Sequence, residues 1–370
     1  MDFFRNRRSG ILRSAKADEV GAYLITERTN VRYLCGSPAV TALLITAKST
    51  AVVCDERTAA HSSPASSPEL TPFLVRTGGR FEQTIAEAIQ KFGCKAVAIE
   101  AGHLPVGAFR ALEAACPKVA FKPVADRVED LRLCKDASEV ESIRNAVRIS
   151  ERAYTMFRVI IRETETEIDL CHLMDRFVRQ AGAHASSIPA LVSLGENGAD
   201  PLHVPTTKVL GEVSKGLVTW GADVGYCSSL ARAFRSPFDP PLVRKTKFER
   251  TGHQFDKVTK AVKDAAQAAV AEIRPGAEIA AVVAAARKVL NEAGFEKYLE
   301  PELGHGLGLL PREAPYLIPN SKGTLASGMV LTVAPDVRIP EWGGVKHSLC
   351  VLVGREGASE LTHGIANFDG

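Results

Sequence analysis

Apolar and polar positions change rhythm along the chain. In the first third, short apolar, β-branched runs have the continuous pattern of buried strands: AYLIT (22–26), ALLIT (42–46) and TAVVCDE (50–56). FEQTIAEAIQKFG (81–93) instead repeats its apolar residues at helical spacing and stops at Gly93, after which KAVAIE (95–100) returns to strand. This alternation predicts an α/β domain ending near residue 132, with the Ser/Pro-rich HSSPASSPELTP (61–72) as an exposed loop. KDASEVESIRNAVRISERAYTMFRVII (135–161) then predicts a long helix. Asp136 and Ser138 are its candidate caps, and Ile143, Val147, Ile149 and Tyr154 form its apolar face. TETEIDLCHLMDRFVRQAGA (164–183) predicts another helix, opened by a Thr cap and closed at Gly182. A second helical block covers 256–273 and 280–293, broken at Pro275-Gly276. The stretches 191–234, 303–317 and 328–353 read as strand and turn, so the second region is a sheet with paired helices outside it.

Composition narrows the function classes. A chain of 370 residues has room for two domains, each with its own core. Hydrophobic residues make up 45% and charged residues 24%, as in ordinary globular proteins. The net charge of +3 from 46 basic and 43 acidic residues lacks the basic excess of a nucleic-acid binder. The one dense basic cluster, RNRR (5–8), is expected to be a solvated end. No apolar run reaches the roughly 20 residues of a membrane span, and MDFFRNRRSGIL lacks the apolar core of a signal peptide. The eight cysteines stand singly, with no CxxC pair to suggest zinc or redox chemistry. Dispersed thiols and the absence of a leader predict a cytoplasmic protein.

Candidate chemistry gathers in the second region. ELGHGLGLLPREAPYL (302–317) sets His305 among glycines, which let backbones approach closely and leave the imidazole open to a groove. His203 sits in NGADPLHVPTT (197–207), a loop rich in Gly, Pro and Asn, and is a second pocket candidate. LVTWGADVGYCSSLARAF (217–234) has the form of strand, tight turn and strand, but carries Thr219 and Ser229 where a catalytic groove would want carboxylates. Cys227 there has no evident activating partner and reads as packing. Alternation puts Lys346 and His347 on opposite faces of a late strand, so one of them faces the groove.

These segments occur in a recognisable order. TNVRYLCG (29–36), CDER (54–57), KDASEVESIR (135–144), SLGENGADPLH (193–203), GYCSSLARAF (225–234), AVAEIRPG (269–276), GHGLG (304–308), GMVLTVAP (328–335) and GVKHSLCVLV (344–353) together resemble the pita-bread metallopeptidases of the aminopeptidase P, prolidase and creatinase type. The resemblance covers nearly the whole chain. It implies a creatinase-like α/β domain over 1–132 and a pita-bread α+β domain over 133–370, assembled as a homodimer. It also implies a dinuclear metal site made by two Asp, one His and two Glu.

Carried over residue by residue, the ligand positions are Thr219, Ser229, His305, Ala334 and Ser348, so one ligand of five is retained. Paired dications need anionic oxygen donors, which two hydroxyls at Thr219 and Ser229 do not replace. Asp223 and Asp336 lie at even offsets from Thr219 and Ala334 and are the candidates for rescue. The alternatives for them are a turn residue beside Gly225 and a loop acid after Pro335. Arg312 stands where the aminopeptidases place a second His, and reads either as a carboxylate grip or as the partner of Glu313. Tyr226 and Arg232 match framework positions and are candidate binding residues. The expectation is therefore a homologue without a metal cofactor, no longer an active metallopeptidase. It would bind a peptide or small anionic ligand in its groove, and neither nucleic acid nor membrane. The alternatives are a metal-independent, creatinase-like C–N hydrolase with His203 as base, using His305 and Arg312, and an Xaa-Pro aminopeptidase or dipeptidase with residual activity.

Overall fold

The computed structural model describes residues 3–59, 70–238 and 255–363. The chain divides into two compact units, Met1–Arg132 and Leu133–Gly370.

The first unit is built on one six-stranded mixed sheet. Its helices are α1 (Phe3–Leu12), α2 (Ala15–Asp18), α3 (Arg28–Cys35), α4 (Phe81–Lys91), α5 (Val106–Ala115) and α6 (Arg127–Leu133). Its strands are β1 (Ala22–Ile25), β2 (Val40–Thr46), β3 (Thr50–Asp55), β4 (Leu70–Val75), β5 (Ala96–Glu100) and β6 (Ala120–Val124), arranged β4-β3-β2-β1-β5-β6. β1 runs parallel to β5 and antiparallel to β2. The continuous apolar runs are strands covered on both faces, with Leu24, Leu44, Val53 and Val97 all buried. Ile85, Ala88 and Ile89 of α4 pack on them. Most of the loop expected at 61–72 lies outside the described residues, and its end, from Leu70, is strand β4. The basic cluster is not a solvated end. Arg8 is 4% exposed and donates to the Leu34 carbonyl at 2.8 Å, while Arg7 reaches the Tyr33 carbonyl and lies over its ring. Charge density alone missed this because a guanidinium can cap carbonyls at a helix C-terminus, and Tyr33 and Leu34 lie in the last turn of α3.

The second unit wraps small sheets in two helix pairs. Here α7 (Ala137–Ile160) and α8 (Glu167–Gln180) form one pair, and α9 (Phe255–Ala271) and α10 (Ile279–Glu292) the other. The strands are β7 (Ala185–Ser186), β8 (Leu191–Leu194), β9 (Lys215–Trp220), β10 (Ala222–Asp223), β11 (Leu230–Arg235), β12 (Gly304–Gly306), β13 (Glu313–Leu317), β14 (Val330–Val333), β15 (Asp336–Ile339), β16 (Gly343–Lys346), β17 (Leu349–Val353) and β18 (Ala358–Glu360). They pair as β11-β9-β8, β13-β12-β14-β17-β18, β15-β16 and β10-β7. The α7–α8 face buries Tyr154, Phe157, Leu170 and Phe177 against Val192, Val218 and Trp220. The α9–α10 face buries Val262, Ala265, Val282 and Leu290 against Leu331, Val333 and Val351. Both helices of the first pair start on capping boxes. Asp136 Oδ1 accepts from the Ser138 and Glu139 amides, and Glu139 returns a carboxylate to the Asp136 amide. In α8 the cap is Thr166, two residues beyond the expected start, paired reciprocally with Asp169.

Candidate functional site

The strands of the second unit bound a cavity of about 510 Å³. Thr219 on β9, Ser229 just before β11, His305 on β12, Ala334 just after β14 and Ser348 between β16 and β17 all line it, so the fold brings the five carried-over positions together. Arg312, Asp336, Arg338, Lys346, Glu300 and Glu302 line it too.

His305 is placed by a tightly squeezed strand. A Cβ on Gly304 would meet the Thr332 carbonyl oxygen at 2.0 Å, and one on Gly306 the Ala314 oxygen at 2.1 Å, so only glycine lets three strands close around the imidazole. His305 Nδ1 is 3.0 Å from the Gly306 carbonyl. A carbonyl only accepts, so Nδ1 carries the hydrogen and Nε2 presents a lone pair. Burial, more than any neighbouring charge, pushes this imidazole below its ordinary pKa and keeps it neutral.

The other ligand positions have diverse fates. Ser348 is buried, and its Oγ accepts the Ala231 amide at 2.6 Å, so its hydroxyl is spent on joining the strands. Ala334 contributes a methyl, its amide bonded to the Leu303 carbonyl at 2.7 Å. Thr219 and Ser229 keep hydroxyls at the cavity wall.

Of the two rescue acids, Asp223 is outside the cavity and accepts the Gly225 amide at 2.6 Å, as a turn residue does. Asp336 is not a loop acid. It begins β15, lines the cavity and is 4% exposed. Arg338 Nε lies 2.6 Å from its Oδ1, and Lys346 Nζ 3.3 Å from its Oδ2. Arg338 also donates to the Gly198 carbonyl at 2.7 Å and through Nη2 to Asp336 Oδ2 at 2.8 Å, so the Asp336 carboxylate is held by two cations, one of them anchored on a neighbouring loop. Lys346 is thus the member of its pair that faces the groove. His347 is buried, and its pKa falls to about 2, first through burial and then through the cations Arg232 and Lys263. Among the described residues, no three His, Cys, Asp or Glu side chains come together as a metal site would require.

Several expectations need correction. His203 does not line the cavity: its Nε2 is 2.8 Å from Glu167 Oε2. Glu167 is buried on α8 and also accepts from the Leu194 and Thr206 amides, Asn197 Nδ2 and Thr206 Oγ1. Burial would raise its pKa, but these hydrogen bonds, led by the Leu194 amide, outweigh it and hold the pKa below the ordinary range. The loop 194–206 is therefore folded around one carboxylate, and His203 belongs to that fold. Arg312 pairs with Glu302 through Nε at 3.1 Å and through Nη2, while Glu313 pairs with buried Lys135 at 2.9 Å. Tyr226 and Arg232 do not line the cavity either. The Tyr226 hydroxyl donates to Glu139 at 2.7 Å, and Arg232 is buried, donating to the Ala231 and Ser348 carbonyls. Cys227, by contrast, is the buried packing residue expected, with its thiol 3.3 Å from the Leu309 carbonyl. Thr332 went unnoticed in the sequence, although it lies two residues before Ala334 and so on the same strand face.

Both units of the chain match known protein families. Residues 141–355 match metallopeptidase family M24, and residues 7–134 match the creatinase/prolidase N-terminal domain. An uncharacterized peptidase, YqhT, of Bacillus subtilis (strain 168) is 28% identical over 93% of this chain and 94% of its own length. An Xaa-Pro dipeptidase from Bacillus anthracis superposes with a TM-score of 0.86 at 25% identity, covering 97% of both chains. The dipeptidase PepE from Mycobacterium ulcerans does so with a TM-score of 0.81 at 26% identity, covering 98% of this chain and 97% of that one.

Proposed function

The chain belongs to metallopeptidase family M24, and from that membership we propose that it keeps the family's groove as a peptide-binding site without a working dinuclear centre. The observation that carries this reading is the state of the cavity carboxylates. Of the carried-over positions only His305 offers a strong metal donor; of the acids on the cavity wall, Asp336 is paired with Arg338 and Lys346 and Glu302 with Arg312, and among the described residues these and Glu300 do not gather with His305 into a group of three. Two dications a few ångströms apart require several anionic oxygens to offset their mutual repulsion. The open hydroxyls of Thr219 and Ser229 do not supply them, so the donor set does not fit the metals.

Charge favours a peptide over a small anion. Arg312 is bound to Glu302, and Arg338 and Lys346 to Asp336, which leaves the cations already partnered. Hydrogen-bonding walls then select a ligand with many neutral donors and acceptors. The Bacillus anthracis relative named above is an Xaa-Pro dipeptidase, which makes short prolyl peptides the first ligands to try. A metal-free hydrolase using His203, His305 and Arg312 has less support, because His203 is turned to Glu167 and Arg312 to Glu302.

The test is metal content per chain after loading with Mn²⁺, Co²⁺ or Zn²⁺ and desalting, alongside calorimetric titration with prolyl dipeptides and tripeptides. The expected result is almost no retained metal, with peptide binding unaffected by a chelator. About two metals per chain, with metal-dependent cleavage of Xaa-Pro peptides, would overturn the reading.

A further inference from the structure

Three cavity residues stand in one row across neighbouring chain segments. An antiparallel bridge between Leu299 and Val337 brings Glu300 opposite Asp336, and the Glu300 amide donates to the Asp336 carbonyl at 2.9 Å. Asp336 is in turn directly opposite Lys346 in the β15–β16 pair. Residues directly opposite in an antiparallel pair share a face, with Cβ atoms about 5 Å apart, so Glu300 and Lys346 stand about 10 Å apart on one wall. All three line the cavity.

The middle of this row is satisfied, and its two ends carry charge left over. Arg338 takes up Asp336, with Nε 2.6 Å from Oδ1 and Nη2 donating to Oδ2 at 2.8 Å. Lys346 stands farther off, at 3.3 Å, and its side chain is 28% exposed against 11% for Arg338. One carboxylate between two cations leaves one positive charge over, and distance and exposure put it at Lys346. Glu300 is half-buried. Among the described residues its carboxylate makes no hydrogen bond or ion pair, unlike that of Glu302, which Arg312 holds. The wall thus presents a negative end and a positive end, with a neutral pair between them.

We infer that this row reads both termini of a short, unblocked peptide, the α-ammonium on Glu300 and the α-carboxylate on Lys346. The spacing sets the length. A free amino acid carries its two charges about 2.5 Å apart, whereas an extended chain advances about 3.3–3.6 Å per residue. Two or three residues therefore reach from one end of the row to the other, the flexible Glu and Lys side chains taking up the remainder. A lone anion meets repulsion from Glu300, and a lone cation from Lys346, so only a ligand carrying both charges in this order satisfies the wall. The inference rests on the reading of the groove as a peptide site, and it adds which part of the peptide is recognised: its two ends.

The experiment is calorimetric titration of the full chain, in chelator, with four probes. Ala-Pro carries both charges, lactoyl-proline replaces its amine by a hydroxyl, Ala-Pro-amide replaces its carboxylate by a carboxamide, and free alanine carries both charges on one carbon. The expected result is that Ala-Pro binds, that each singly charged analogue binds about tenfold more weakly, and that alanine does not bind. Glu300→Gln should weaken Ala-Pro about tenfold and erase the preference over lactoyl-proline, while keeping the preference over the amide. Lys346→Met should do the reverse. A merely structural role would weaken all probes alike and leave both preferences standing, which would overturn the inference. So would equal binding of Ala-Pro and its analogues to the unmutated chain, a comparison that needs no variant to fold. In that case the peptide groove survives and only the reading of its ends falls. Failure of every peptide to bind, or retention of two metals, would instead remove the reading beneath it.

Discussion

A single buried carboxylate, Glu167, does work in the loop around His203 that no residue nearby in sequence could do. Five donors converge on its two oxygens, drawn from Leu194, Asn197, His203 and Thr206. Glu167→Ala would strand those donors and is expected to lower stability by about 3 kcal/mol, read as a drop in urea midpoint. His203→Ala removes only one donor, so its cost should be about 1 kcal/mol. An equal loss from the two variants would mean that the carboxylate is not the hub. The same contrast explains why His203 misled as a candidate base. A histidine in a Gly/Pro/Asn loop has the same local sequence whether it serves a substrate or a carboxylate 36 residues earlier, and only the fold distinguishes the two.

At the level of elements, the strand bearing His305 is the least tolerant part of the site. Gly304→Ala or Gly306→Ala would drive a methyl into a backbone carbonyl, which cannot move as a side chain can. Each should cost about 3 kcal/mol or more and be recovered largely in inclusion bodies; soluble, fully stable variants would contradict the packing described. Asp136→Ala, at the cap of α7, should cost about 1 kcal/mol by denaturant titration, with no effect on the groove. Elements of this kind were the legible part of the sequence. Periodicity located the core strands of the first unit, α4 and all four long helices of the second unit, because burial imposes the period directly. It passed over α1, since FFRNRRSGIL has no clear apolar face and is held partly by its arginines. The five cavity positions were legible through order and spacing of motifs. The pairing of Asp336 with Arg338 and Lys346 was not, because it joins strands by tertiary contact and leaves no period.

For the whole molecule, two buried histidines and Glu167 tie stability to pH in one direction on the acid side. His347 and His305 are held neutral in the fold, His347 with its pKa at about 2, whereas each titrates near 6.5 when unfolded. Below that value the unfolded chain takes up protons the folded chain refuses, so stability falls as pH drops from about 6.5. Glu167, with its pKa depressed, contributes stability that is present above its unfolded value of 4.5 and lost as pH falls through the folded one. The melting temperature should therefore decline between pH 7 and pH 5. His347→Gln should recover part of that decline, on the order of 1 kcal/mol; an unchanged pH slope in the variant would show that His347 is not its source. The cavity wall has a kinetic consequence as well. Its three acids, Glu300, Glu302 and Asp336, face three cations, Arg312, Arg338 and Lys346. Such a balanced mouth casts little net field into solvent, so it cannot pull a charged ligand in from a distance. Ligands must find the groove by unassisted diffusion, and their association rate should stay nearly flat as salt rises, with selectivity left to how long each one stays.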